Sequence, residues 1–122
     1  MINHKKVSLI IPVKNEENAV LKMFKSMPSL IDEVIVVDNN SADKTGVIAR
    51  SYGARVVKEP KSDRFCIGYG FAHQTGIRRA NGDLIVAMDG DGTYPLEEIK
   101  DVIKYMEKKN LDFVSCRRFP LR

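Results

Sequence analysis

Cysteine is scarce in this sequence: Cys66 and Cys116 are the only two, they stand far apart, and neither has a metal-ligating neighbour. That excludes a CxxC zinc or redox site and argues against a secreted disulfide framework, so reduced, intracellular thiols are expected. Long apolar runs are missing too. The longest near the N-terminus, Val7 to Val13, includes Ser8 and Pro12 and is far shorter than the roughly 20 residues a membrane helix requires. Lys5 and Lys6 precede it, but it runs into Lys14-Asn15-Glu16-Glu17, not a small-residue cleavage site. No signal peptide is read, and nothing directs export. The excess of 20 Lys+Arg over 16 Asp+Glu is scattered, not concentrated in basic runs. A formal charge of +4 could favour phosphorylated ligands or an anionic membrane surface, but it names no partner, and no nucleic-acid partner is read from it. Repeats, low-complexity tracts and interdomain linkers are absent. With 122 residues and 43% hydrophobic content, residues 1–122 therefore read as one domain.

What is present alternates between two periods. Val7–Val13 and Glu33–Asp38 are compact runs rich in β-branched residues, the signature of strands covered on both faces. Between them Val20, Met23, Phe24 and Met27 fall on one helical face, and Pro28 marks a stop. After the second strand Asn40 and Ser41 read as helix caps, with Val47, Ile48 and Tyr52 continuing on helical spacing. Gly53 closes that helix, and Arg55–Lys58 reads as a short strand. Pro60 to Ile67 is a polar connection without a periodic signal. From about Gly70 a helix carries Ala72, Gly76 and Ala80 as a small-residue stripe, suited to close approach to a sheet, and Asn81-Gly82 ends it. Leu84–Met88 is a fourth strand, Pro95 opens a helix whose stripe is Leu96, Ile99, Ile103 and Met106, and Leu111–Ser115 supplies a fifth strand. Repeated β-α order implies an α/β fold with a mostly parallel sheet flanked by helices.

Polar clusters follow three of these strands: Asn15-Glu16, Asp38-Asn39-Asn40 and Asp89-Gly90-Asp91-Gly92. In an open parallel sheet that edge, beyond the carboxyl ends of the strands, is where ligands bind. The last cluster is the most informative. Two carboxylates separated by glycine repel each other and resist joint ionisation unless a cation neutralises them, while glycine allows sharp backbone geometry. Mg²⁺ uses one or two carboxylates plus substrate phosphates at about 2.1 Å, and Mn²⁺ accepts similar oxygen ligands. Taken alone, the motif reads equally well as an Asp-Gly turn. It is not an EF-hand, because Thr93-Tyr94-Pro95-Leu96 breaks the ligand spacing. Gly68-Tyr-Gly70 is not a dinucleotide fingerprint, because it does not follow the first strand.

In order, Ile11-Pro-Val-Lys-Asn-Glu16, Val36-Val-Asp-Asn-Asn-Ser-Ala-Asp43, Gly68-Tyr-Gly70 with Gly76, and Met88-Asp-Gly-Asp-Gly-Thr-Tyr-Pro95 resemble family 2 glycosyltransferases. The resemblance spans nearly the whole chain and is especially near the branch of polyprenyl-phosphate (dolichyl-phosphate) sugar synthases. It implies a GT-A fold, Rossmann-like, of which this chain supplies the donor-binding portion without most of the acceptor-binding half. By resemblance, Pro12 and Glu16 line the nucleotide pocket, Asp38 and Asn39 contact base or ribose, Asp89 lies near ribose and metal, and Asp91 ligates the metal. Arg117 stands where related enzymes place a phosphate-binding arginine. The family commonly has two acidic residues where this chain has Asp38-Asn39, and Asn39 can hydrogen-bond but carries no charge.

The implied reaction is inverting transfer of a sugar from a UDP-, GDP- or dTDP-linked donor, with a divalent metal, Mg²⁺ or Mn²⁺, to an acceptor such as a polyprenyl phosphate. A cytoplasmic location, peripheral to a membrane, fits that acceptor, and a homo-oligomer is compatible with it. Each residue also has a plainer role: Pro12 ends a strand, Glu16 begins a helix, Asn39 stabilises a turn, and Arg117 sits exposed near a chain end. His73 reads as a packing or surface histidine, not a base. The chief alternative is a noncatalytic nucleotide-sugar-binding or assembly module. A receiver-like phosphoacceptor fits less well, since the acidic pair follows strand four. A nucleotidyltransferase lacks its phosphate loop after strand one.

Overall fold

The computed structural model describes residues 1–58 and 68–116. Four parallel strands, β1 (Val7–Val13), β2 (Glu33–Asp38), β3 (Arg55–Lys58) and β4 (Leu84–Ala87), lie in the order β3-β2-β1-β4. They alternate with α1 (Glu17–Lys25), α2 (Thr45–Ser51), α3 (Gly68–Arg79) and, after a 3₁₀ turn over Leu96–Glu98, α4 (Ile99–Lys108). β1 is central and buried along its whole length, as its mostly apolar run requires.

The two-residue period of a strand divides the core. Val7, Leu9, Ile11 and Val13 join Val36 and the buried faces of α1, α2 and α4 in one cluster; Ile10, Ile35 and Val37 meet Ala72 of α3 in the other. The small-residue stripe on α3 permits that second contact. A β-carbon on Gly76 would lie 2.3 Å from Ile10 Cγ2 and 3.3 Å from Val37 Cγ2, so only glycine lets the helix backbone come this close. α3 packs on β1 and β2 and leaves Ile85 of β4 43% exposed.

Three expectations change. The second helix is not capped by Asn40 or Ser41; it begins at Thr45, and its buried residues are Thr45, Gly46 and Ala49, while Val47 is 63% exposed. Thr45, Gly46 and Ala49 bring α2 onto the sheet, with Ile48 packed at the edge of the core. Tyr52 is half-exposed and stacks on Phe24 of α1 with ring centroids 5.4 Å apart. Leu111–Ser115 is not a strand. Leu111 and Phe113, which strand spacing puts on one face, are both exposed, and with neither a pairing neighbour nor a covered face among the described residues the segment gains nothing from extension. β4 is shorter than expected by Met88, whose amide still donates to Ile10 O at 3.1 Å. Pro60–Ile67, with Cys66, lies outside the described residues, and α3 starts at Gly68. Among the described residues no helix is long and apolar enough to cross a membrane.

Candidate functional site

In this strand order the chain steps outward from β1 to β2 to β3, then returns to the other side of β1 for β4. The loops after β1 and β4 are therefore neighbours, both leading to helices on one face of the sheet, and the crevice between them lies at the carboxyl edge, where open α/β sheets bind ligands. Lys14-Asn15-Glu16 leaves β1 on one side of it, and Asp89-Gly90-Asp91 leaves β4 on the other. Gly90 joins them. It is buried, and a β-carbon there would lie 2.6 Å from Val13 Cγ1, 3.1 Å from Ile11 Cγ2 and 3.3 Å from Glu16 Oε2. The glycine between the two aspartates thus seats their loop on the end of β1, beside the Glu16 carboxylate.

Asp91 is exposed and oriented by its own turn. Its Oδ1 accepts from the Thr93 amide at 3.0 Å and from the Thr93 hydroxyl at 2.7 Å, while Gly92 takes a φ of +80°, a conformation glycine adopts without a side-chain clash. Asp89 is half-buried. Both donors are carboxylate oxygens, a set suited to a hard divalent ion.

Pro12 is buried in β1, paired with Val37 in the parallel ladder. Asp38 ends β2 in register with Val13, and the next amide, of Asn39, donates to Val13 O at 3.0 Å. Both side chains are largely buried, at 7% and 9% exposure. Asp38 Oδ1 accepts from the Ser41 amide at 2.9 Å, and a β-carbon on Gly46 would lie 3.1 Å from its Oδ2. Glycine at the start of α2 therefore makes room for this carboxylate. Arg117 lies outside the described residues.

The loops after β1 and β2 are bonded to each other by residues the sequence did not single out. Asp43 Oδ1 accepts from the Thr45 amide and hydroxyl, and its Oδ2 accepts from the Glu17 amide at 3.3 Å. Bonding to the Thr45 hydroxyl, with smaller backbone contributions working against burial, holds the Asp43 carboxyl below its usual range. Glu17 Oε2 accepts from the Lys44 amide at 3.0 Å in return. Neither N-cap, Glu16 or Lys44, uses its own side chain; the two helices cap one another. A signal was available: Asp43-x-Thr45 and Asp91-x-Thr93 are the same Asp-turn, an aspartate bonding the backbone two residues on.

An open cleft of about 440 Å³ lies between α1 and the loop after β4, with Asn18, Lys22 and Met23 on one wall and Asp91, Tyr94 and Leu96 on the other. Of the described residues expected at the site, Asp91 lines it; Pro12, Glu16, Asp38, Asn39 and Asp89 do not.

This arrangement meets a known pattern: the glycosyl transferase family 2 profile matches residues 8–120. The chain belongs to that family. A Mycobacterium bovis relative, an uncharacterised glycosyltransferase, is 31% identical over 115 residues, covering 94% of this chain and 50% of the relative. The undecaprenyl-phosphate 4-deoxy-4-formamido-L-arabinose transferase of Photorhabdus laumondii is 32% identical over 133 residues, covering 93% of this chain and 37% of that one. Among solved structures, glucosyl-3-phosphoglycerate synthase from Mycobacterium tuberculosis, in complex with Mn²⁺, UDP and glucosyl-3-phosphoglycerate, superposes with a TM-score of 0.63 at 26% identity, over 89% of this chain and 40% of that chain. This family 2 chain has the GT-A type of α/β fold. It spans about half the length of the first curated relatives it matches.

Proposed function

We propose that residues 1–122 form the nucleotide-sugar-binding unit of an inverting glycosyltransferase that moves a sugar from a nucleoside diphosphate to an acceptor oxygen. The observation that carries this is the seating of Asp89-Gly90-Asp91 against Val13 and Glu16 at the β1/β4 crevice. Family membership supports it, as does the Mn²⁺- and UDP-containing complex of a structural neighbour.

In this reading Pro12 and Glu16 line the nucleotide pocket, and Asp38 with Asn39 contacts base or ribose. Asp38 and Asn39 are buried at the mouth of β2, where hydrogen-bonding groups select a ligand with matching donors and acceptors. Asp89 lies near ribose and metal, Asp91 ligates the metal, and Arg117 reaches phosphate. A site of two aspartates suits an ion whose coordination is completed by substrate phosphates and water. Bound there, Mg²⁺ or Mn²⁺ supplies electrostatic stabilisation of the charge that builds on the leaving diphosphate. The Thr93 bonds aim Asp91 before ligand arrives, which lowers the cost of forming that contact.

The acceptor oxygen attacks the anomeric carbon as the bond to the β-phosphate oxygen breaks, and that oxygen keeps the electron pair. A polyprenyl phosphate is the acceptor class we favour, supported by the similarity to an undecaprenyl-phosphate transferase; its ionised oxygen attacks without a strong base. Titration of the full chain with UDP-, GDP- and dTDP-sugars, with and without Mn²⁺ or Mg²⁺, tests donor binding, and a transfer assay with polyprenyl phosphate tests catalysis. Metal-dependent binding with no product would favour the noncatalytic donor module; no binding of any donor would overturn the proposal.

A further inference from the structure

Two bonds cross from the residue before Glu16 to the loop after β2. The Asn15 amide donates to Ser41 Oγ at 3.0 Å, and Asn15 Oδ1 accepts from the Ala42 amide at 2.6 Å. Asn15 sits at a φ of +51°, in the left-handed region that asparagine tolerates better than most residues with a β-carbon. That conformation turns its amide and its side-chain carbonyl toward the same neighbouring loop. Ser41 is bonded on both sides, because its amide donates to Asp38 Oδ1 while its hydroxyl receives Asn15. One continuous path, Asp38 to Ser41 to Asn15 to the adjoining Glu16, therefore fixes the separation of two carboxylates that come from different strands. Below it, Glu16 donates its amide to Thr45 Oγ1 at 3.0 Å, so Glu16 is held to the β2 side at two points.

We propose that Asn15 and Ser41 are positioning residues for donor recognition, a clasp that sets Glu16 against Asp38 at the spacing the nucleoside requires. This rests on the donor-binding reading of Glu16 and Asp38. Neither Asn15 nor Ser41 needs to touch the ligand. Both are at or near the surface and contribute nothing to the apolar core, so the clasp has a role that packing does not account for. The metal-side loop is outside the path: Asp91 takes its orientation from Thr93. Loosening the clasp should therefore weaken the nucleoside contact and leave the metal's contribution intact.

The test uses the full chain and the one of UDP, GDP or dTDP that the parent binds, titrated with and without Mn²⁺. Asn15→Gly keeps the left-handed backbone and removes the side-chain acceptor, Ser41→Ala removes the hydroxyl, and Ser41→Thr keeps it. Loss of a hydrogen bond of ordinary strength predicts roughly three- to tenfold weaker binding for each of the first two. The ratio of affinities with and without Mn²⁺ should stay at the parent value, and Ser41→Thr should bind as the parent does. Circular dichroism checks folding, and Ser41→Ala, which leaves the backbone conformation alone, carries the test if Asn15→Gly does not fold. Parent-like affinity in both variants, or a loss confined to the Mn²⁺-dependent part, would overturn the clasp and spare the donor reading. A parent that binds none of the three diphosphates would sink the donor reading and the clasp with it.

Discussion

Gly90 lies so close to Val13 that a β-carbon on it would stand 2.6 Å from Val13 Cγ1. The contact ties the aspartate loop after β4 to the end of the central strand, and Glu16 Oε2 lies on the same side, 3.3 Å from that β-carbon position. Gly90→Ala should therefore disturb stability and site together. Overpacking at such a contact costs about 1–3 kcal/mol, to be read from denaturant unfolding, and metal-dependent nucleotide binding should weaken at temperatures where the variant is still folded. A variant with the parent's stability would show that the loop is not seated this way.

Gly76→Ala separates stability from function. The added methyl meets Ile10 Cγ2 at 2.3 Å, deep under α3 and away from the crevice. The expected result is again a loss of about 1–3 kcal/mol, here with unchanged nucleotide affinity in the folded fraction.

Asp43 links the site's framework to pH. Its carboxyl is held below the ordinary aspartate range, chiefly by the Thr45 hydroxyl. A carboxylate with a depressed folded-state value contributes stability that is complete above its unfolded value and disappears as pH falls through the folded one. Parent and Asp43→Asn melting temperatures should differ most above about pH 4 and converge as the pH falls below that. Asp32, lowered first by its bond from the N-terminal ammonium, and Glu33, lowered by bonds from Asn81 and Ser8 despite the opposing effect of burial, add acid sensitivity in the same direction. The Asp43→Asn difference isolates the α1–α2 capping exchange from both. A difference that stays constant across the range would contradict the assignment.

Much of the fold was legible because β1 and β2 are buried on both faces, which leaves mostly apolar runs, and because the Ala72-Gly76 stripe has only one use against a sheet. The placement of Asp89 and Asp91 at the carboxyl edge of the sheet followed from those strands. In α2 the start and one apolar position were misread: the helix opens at Thr45 rather than after Asn40-Ser41, and Val47 faces solvent, while Ile48 packs against the core beside the buried Thr45, Gly46 and Ala49. Leu111–Ser115 carries strand-like residues, but with no pairing neighbour among the described residues propensity alone does not make a strand. The clasp was invisible for another reason: its bonds join residues 26 and 27 positions apart, and no local period records a contact between two loops.

The central claim is that Asp91 holds a divalent ion against the donor diphosphate, and the most direct measurement is nucleotide-sugar affinity with and without Mn²⁺ in the parent and in Asp91→Ala. The account predicts that Mn²⁺ strengthens binding to the parent and that this enhancement is lost in the variant, with metal-free affinity little changed. An undiminished Mn²⁺ enhancement in Asp91→Ala would contradict it.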